Sequence, residues 1–433
     1  MRGVFDSLRA EIAGVPLSSK VGRVTEVARG TVLVSGLTHF AALGDRVLIG
    51  AGDLGGEILR LAQDGAVILP DSMPEGVSIG DPVELLGRAE IAPDDSWIGR
   101  VIDPFGQPLD GRPLFRGGEA RKRRAAAPPA ATRRRLGARL STGVAVFDTL
   151  LPLVQGQRIG LLAGCGVGKC SVVAKFARGV QADVVVIALV GERGRELREF
   201  TERVLGPSGM ARSVVIAATS DMSPLVRRRC PWAAMAVAEH FRDQGLHVLF
   251  LADSITRFAE AHREIATAGG ESANMRGYPP STSHLIMSLA ERAGPGPEGT
   301  GDITAIFSVL VAGSDMEEPV ADILRGVLDG HVVMDRQIAE RGRYPAINLL
   351  RSVSRSLPEA ATSEENALIA EARRHLGAYD RAELMIQAGL YAKGSDPAVD
   401  AAIRVWPALD AFLAEDSPGG VEASFRRLAA CLR

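Results

Sequence analysis

The stretch Leu161–Ser171, LLAGCGVGKCS, sets three glycines and a lysine at the mouth of a helix. The run RIGLLAG that leads into it reads as a strand, and KCSVVAKFARG that follows reads as a helix. Between them Gly164, Cys165, Gly166, Val167 and Gly168 make a turn whose backbone N–H groups face an anion at the helix N-terminus, and Lys169 reaches the outer phosphates of a nucleotide. The spacing is that of the Walker A loop, with Ala163 where the consensus has Gly and Cys170 where it has a hydroxyl. That hydroxyl ordinarily meets Mg²⁺, a hard cation that prefers oxygen, so a thiol is a poor replacement. Ser171 does not obviously stand in for it, because successive helical positions point about 100° apart. A helix N-terminus lowers a thiol pKa and nearby phosphate opposes the effect. Water in the vacant ligand position, with other groups holding the ion, is the plain alternative.

Two further carboxylates fit the same chemistry. The apolar run VVVIALVGERGRELREF ends on Glu192 and Arg193, at the strand edge where open α/β sheets hold ligands. A carboxylate there polarises an attacking water, and an arginine meets phosphate charge. The run HVLFLADSITRF closes on Asp253 in the manner of a Walker B strand, with Asp253 holding Mg²⁺ through water. Asp253 also suits the cap of the helix that follows, and Arg195 to Glu199 suits a solvated helix start, which fits Glu192 less well.

These residues need a scaffold, and the chain supplies one. From Gly156 onward, apolar runs alternate with helical stretches, which specifies a mostly parallel α/β sheet. Ahead of it, residues 21–90 break into short β-branched pieces separated by Gly and Asp, the texture of a small antiparallel β-barrel or sandwich. Residues 91–140 are rich in Pro and Gly and include the basic run RKRRAAAPPAATRRR, which reads as a connector. A nucleic-acid surface is the alternative there, although no aromatics are interleaved. Residues 141–357 form the nucleotide domain, and 358–433 are helical in period with no strand signal. Residues 1–20 place Val4, Phe5, Leu8 and Ile12 on one helical stripe, suited to docking a partner or to packing on the barrel.

At 433 residues the chain is expected to hold two or three domains. Its 50 Lys and Arg nearly cancel 52 Asp and Glu, so no whole-molecule field recruits nucleic acid or an anionic membrane. The N-terminus has no signal-peptide core, and no stretch offers the roughly 18 apolar residues of a span, which suits a cytoplasmic protein. Cys165, Cys170, Cys230 and Cys431 show no paired spacing, as expected of free thiols.

Beyond the loop, the sequence carries LSTGVAVFDTLLPLVQGQRIGLLAG, GERGRELREF, ADSITRFAEAHREIA, RGYPPS, EPVADILRGVLDGHVVMDRQIAERGRYPAINLLRSVSR and GLYAKGSDPAVDAAI. In these it resembles the hexameric type III protein-export ATPases, most closely the flagellar export ATPase, relatives of the catalytic subunit of rotary ATP synthases. Ala163 at the head of the loop fits that resemblance, whereas Cys170 departs from it. The resemblance implies an N-terminal β-barrel, a RecA-like P-loop domain and a C-terminal helical domain, assembled as a homohexamer that hydrolyses MgATP at its interfaces. It assigns Arg355 as the arginine finger for a neighbour's γ-phosphate, Tyr344 and more weakly Tyr391 to the adenine pocket, and Arg257 to the phosphates. Read without it, Tyr344 is a packed turn residue and Arg355 a surface ion pair. As partners it implies a regulatory stator-like protein that binds the N-terminal segment, chaperone–substrate complexes and an export gate, at the cytoplasmic face of the inner membrane.

Two other functions compete. A nucleotide-binding structural subunit with little turnover suits Cys170 but not Glu192, where non-catalytic subunits of rotary synthases typically carry Gln. A transcription-termination helicase shares the core but needs aromatic residues on its barrel, and residues 21–88 hold only Phe40.

Overall fold

Strict alternation builds the first unit. In Thr31–Ser35 and Arg46–Ile49 every second side chain is buried, so each strand turns one face to a common interior. The computed structural model describes residues 18–433 except 29, 52–53, 165, 275 and 312–316. The stripe Val4, Phe5, Leu8 and Ile12 therefore lies outside the described residues, as does Cys165. Six strands close a barrel in the order Lys20–Ala28, Thr31–Ser35, Gly65–Pro70, Leu54–Ala62, Arg46–Ile49 and Pro82–Gly87. Val24, Val34, Ile49, Ile58, Ile68 and Val83 fill it.

The central sheet runs in the order Ile347–Ser354, Gly330–Met334, Arg158–Ala163, Asp302–Leu310, Val248–Asp253, Val184–Glu192, Ser213–Thr219 and Arg100–Ile102. All but the first strand pair in parallel. Continuous burial from Val184 to Val190 and throughout Ser213–Thr219 follows from helices on both faces. On one face lies the helix Lys169–Gly179, with Phe147 and Phe176 in a core that continues into Leu376, Leu409 and Phe412 of the last domain. On the other face lie the helices Pro224–Asp243 and Ile255–Ala268. Three helices, Ser363–Gln387, Pro397–Phe412 and Gly420–Cys431, complete the chain.

One stretch of the expected connector does more than connect. Arg100–Ile102 pairs with Val214–Ile216 as the edge strand of the central sheet. The Arg100 guanidinium holds the following turn through Asp110, Arg112 O and Pro113 O, which three residues of strand propensity do not foretell. The basic run is also engaged by the chain itself: Arg133 donates to Glu291 O, and Arg134 donates to Asp302 and to Thr300 O.

The barrel is tied to the nucleotide domain through one buried acid. Glu57, 4% exposed, accepts from Arg228 at 2.8 Å and from Arg229 at 2.7 Å. Burial opposes its charge, but the two arginines outweigh that and hold its pKa below the ordinary carboxylate value. Removing one partner of such a pair strands the other in low dielectric, at a cost of about 3–5 kcal/mol.

Candidate active site

The strand Arg158–Ala163 leaves the C-terminal edge of the sheet at Gly164, and the loop returns to a helix at Lys169. Gly166 and Gly168 have φ of +77° and +86°, a region costly to any residue with a Cβ. A Cβ on Gly166 meets nothing within 4 Å, so the loop is open there. A Cβ on Gly168 would stand 3.1 Å from Cδ1 of Tyr344. The Tyr344 ring thus packs beside the loop while remaining 51% exposed, an aromatic face next to a phosphate cradle.

Lys169 is 7% exposed and forms an ion pair with Asp253, itself 2% exposed. The Asp253 Oδ1 also accepts from Ser308 Oγ at 2.6 Å. Burial disfavours the lysine's charge, but Asp253, with Cys170 and Glu192 behind it, outweighs burial and raises its pKa. Glu192 lies at the end of the next strand, past Gly191 at φ +71°. Desolvation, then the Asp253 charge and a hydrogen bond with Glu196, push its carboxyl up to about 7, where a general base is most effective.

Cys170 is exposed at the second position of the loop helix. Desolvation and the Asp253 carboxylate push its thiol up to about 11, opposite to the lowering that a helix N-terminus produces. A neutral thiol is a poor ligand of Mg²⁺, the mismatch already evident from the residue type. Asp253 does fit, as the carboxylate for an ion that keeps several waters and takes its remaining ligands from phosphate. Among the described residues no three His, Cys, Asp or Glu side chains converge to hold a metal.

The other sequence-derived residues divide. The Arg257 stem packs over Gly191, 3.2 Å from the position of a Cβ there, and its guanidinium pairs with Glu260 at 2.9 Å. Arg193 is largely exposed at the start of the helix Gly194–Glu199, and its nearest acid is Glu196 at 3.9 Å. It is thus turned to solvent rather than bonded into the Lys169–Asp253 group. Tyr391 is bound into its own turn, donating to Asp396 O and Asp400 Oδ1 at 3.0 Å each. Ser171 is exposed on the helix.

Arg355 stands at the opposite edge. Met334 is in register with Ala163 and with Ile347, whereas Gly330 is in register with Ser354. Arg355 therefore follows its strand at the end where Arg158 begins, roughly 16 Å along the sheet from the loop at about 3.3 Å per residue. Its backbone N–H donates to Asp329 O and its guanidinium to Arg325 O. It cannot serve the loop of its own chain.

Sequence reasoning missed Ser308 and Glu196. Ser308 pairs in register with Leu161, and its signal was a hydroxyl inside the apolar run ITAIFSVL. Glu196 gave none, because its hydrogen bond with Glu192 depends on the turn at Arg193.

Residues 143–354 match the nucleotide-binding domain of the ATP synthase alpha/beta family, and residues 361–430 match the EscN-type C-terminal domain of type III secretion ATPases. The chain is 43% identical over 420 residues to the flagellum-specific ATP synthase of Caulobacter vibrioides, covering 95% of each. It is 41% identical over 406 residues to the type 3 secretion system ATPase of Pseudomonas syringae pv. syringae, covering 92% of this chain and 90% of the relative. The assembled ATPase EscN of enteropathogenic Escherichia coli superposes with a TM-score of 0.89 at 33% identity, over 95% of this chain and all of EscN. EscN in complex with its central stalk EscO gives a TM-score of 0.86. A phosphate loop and a barrel–sheet–helix order thus sit in a chain that these relatives match over more than nine tenths of its length: it belongs to the flagellar and type III secretion ATPases, P-loop enzymes that hydrolyse ATP.

Proposed function

We propose that this chain is the ATPase of a flagellar-type protein export apparatus, working as a homohexamer with each site shared between two subunits. The observation that carries this reading is the separation of Arg355 from Lys169, Asp253 and Glu192 on opposite edges of one sheet. In a head-to-tail ring, one edge of a subunit faces the other edge of the next.

The residues then divide the work. The amides from Gly164 to Lys169 and the Lys169 ammonium bind the phosphates of ATP, Lys169 exchanging Asp253 for the nucleotide. Tyr344 offers its open face to the adenine. Glu192, ionised at and above neutral pH, takes the proton of the attacking water. Arg355 of the neighbouring subunit meets the charge that develops on the transferred phosphoryl group. Asp253 would hold Mg²⁺ through water, and the ion would neutralise charge on the β- and γ-phosphates. Arg257 stands behind the turn at Gly191 as a second cation. Cys170 contributes no ligand, so the site needs more Mg²⁺ than one with a hydroxyl there.

The coupled work is release of export substrates from chaperones and their delivery to a membrane gate. EscN binds a central stalk, and an equivalent partner, together with a stator-like regulator on the N-terminal segment, is proposed here. No helix among the described residues is long and apolar enough to cross a membrane, which supports a cytoplasmic protein seated peripherally at the inner membrane. Nucleic acid is not among the proposed partners. A virulence secretion role uses the same chemistry; GLYAKGSDPAVD favours the flagellar one.

Steady-state ATP hydrolysis against Mg²⁺, for the parent chain and Cys170→Ser across concentrations that span assembly, tests this. The reading predicts turnover by the parent, with the serine form chiefly lowering the Mg²⁺ requirement. Turnover confined to Cys170→Ser would instead mark a nucleotide-bound structural subunit.

A further inference from the structure

The nucleotide site does not use the basic run at 121–124, and only part of that run is neutralised. Arg121 pairs with Asp243 at 2.6 Å. Lys122, Arg123 and Arg124 line a cavity of about 300 Å³ between the barrel and the nucleotide domain, together with Arg88 from the barrel exit and Arg229 from the helix Pro224–Asp243. Glu57 and Asp45 are the acids in the same wall. Glu57 is bound by Arg228 and by Arg229 of this same wall, and Asp45 accepts from the Ala42 N–H at 2.8 Å.

Donors in this wall remain unused. Arg229 is 2% exposed, and its Nη1 makes no hydrogen bond among the described residues; Asp71 Oδ1 lies 3.8 Å from it. Arg123 is 5% exposed and donates Nε to Ala89 O and Nη1 to Pro104 O, leaving Nη2 without a partner among the described residues. Burial, with repulsion from Arg229, pulls its pKa down to about 9. Arg124 stacks 4.0 Å over the Trp232 ring, with its nearest acid, Glu57, at 4.0 Å. Neither Lys122 nor Arg88 makes a side-chain hydrogen bond or ion pair among the described residues.

We propose that this cavity binds a small anion carrying two or more linked phosphate groups, which fastens the barrel to the nucleotide domain. Planar guanidinium groups match phosphate oxygens in pairs, and a polyanion supplies the acceptors that Arg123 and Arg229 lack. The volume suits a di- or triphosphate, whereas an acidic side chain from another protein brings one charge to the several cations that Glu57 leaves uncompensated. The walls come from the barrel, the connector and a helix of the nucleotide domain, so a ligand there stabilises their closed arrangement by mass action. The site is separate from the phosphate loop.

Tripolyphosphate is the probe. Calorimetric titration is performed without nucleotide on the full Lys169→Ala chain, whose catalytic loop lacks its phosphate-binding lysine, and the unfolding midpoint is followed alongside. The expected result is about one tripolyphosphate per chain, affinity that falls with salt, and a raised midpoint. Lys122→Ala with Arg124→Ala, and separately Arg88→Ala, each added to that chain, weaken binding about tenfold or more. The exposed Lys122 and Arg88 leave folding intact, which the unliganded midpoint confirms. Absence of binding, or binding unaffected by these variants, overturns the proposal. A neighbouring chain's carboxylate in the cavity would exclude tripolyphosphate from the assembled protein and overturns it equally.

Discussion

The two edges of the central sheet are built differently. At the C-terminal edge, Lys169, Asp253 and Ser308 are buried and bonded to one another, and Glu192 is tuned by the same charges. At the N-terminal edge, Arg355 is exposed and its guanidinium meets a backbone carbonyl rather than an acid. A cation left without a carboxylate on a surface keeps its charge for another molecule, whereas the buried pair at the loop must be separated before phosphate binds. One edge is a closed, mutually bonded group and the other an exposed cation, the arrangement that a site shared between subunits requires.

If the comparison holds, Arg355→Ala gives the largest effect, a loss of about 10³–10⁵ in turnover, with nucleotide binding unchanged because the residue does not touch its own loop. Fluorescent-nucleotide titration beside steady-state hydrolysis separates the two quantities. Equal loss of binding and turnover would break the distinction between the edges.

Glu192→Gln follows, with turnover lower by about 10²–10⁴. Because the base works only when ionised, activity of the parent rises with pH through about 7, and the glutamine form lacks that step. Stability moves the other way. A carboxyl raised from 4.5 to about 7 favours folding only while protonated, so its contribution is complete below pH 4.5 and lost as pH rises through about 7. Glu192→Gln is therefore expected to be more stable than the parent at pH 8 by about 1–2 kcal/mol, after allowance for partial exposure. Urea unfolding at pH 8 and pH 4.5 measures the difference.

Tyr344→Ala raises the KM for ATP about 10-fold to 100-fold by removing a stacking face, and Tyr344→Phe leaves it nearly unchanged. Cys170→Ser has the smallest effect, a several-fold lower Mg²⁺ requirement at similar maximal turnover, in keeping with ~1 kcal/mol for a gained oxygen ligand. A large gain in turnover from that one substitution would show that the loop edge is not complete as it stands.

Much of this layout is legible in the residues. Alternation in TVLVS, continuous apolar runs such as VVVIALV and the strand–glycine–lysine–helix order name the barrel, the sheet and the loop. Local pattern stops where partners come from distant segments. Glu57 meets Arg228 and Arg229 across 171 and 172 residues, and nothing near any of the three announces the pairing. The rise in the Cys170 pKa comes from burial and then from Asp253, which lies 83 positions further along, so the helix N-terminus alone gives the wrong sign. The strand edge singles out Arg193 and the resemblance Tyr391, and their local turns decide where they sit: one beside Glu196 in solvent, the other on Asp396 and Asp400. Arg355 is the converse case. The resemblance implies its role, and the register of Gly330 with Ser354 shows that it stands far from the loop of its own chain.

The most direct test of that division is complementation. Lys169→Ala and Arg355→Ala chains, each inactive alone, are mixed in equal amounts under conditions of assembly and assayed for ATP hydrolysis. Random mixing restores a loop and an arginine to the same interface at about a quarter of the positions, so the mixture is predicted to recover up to about a quarter of parental turnover. A mixture no more active than either variant, from chains shown to co-assemble, would contradict a site shared between subunits.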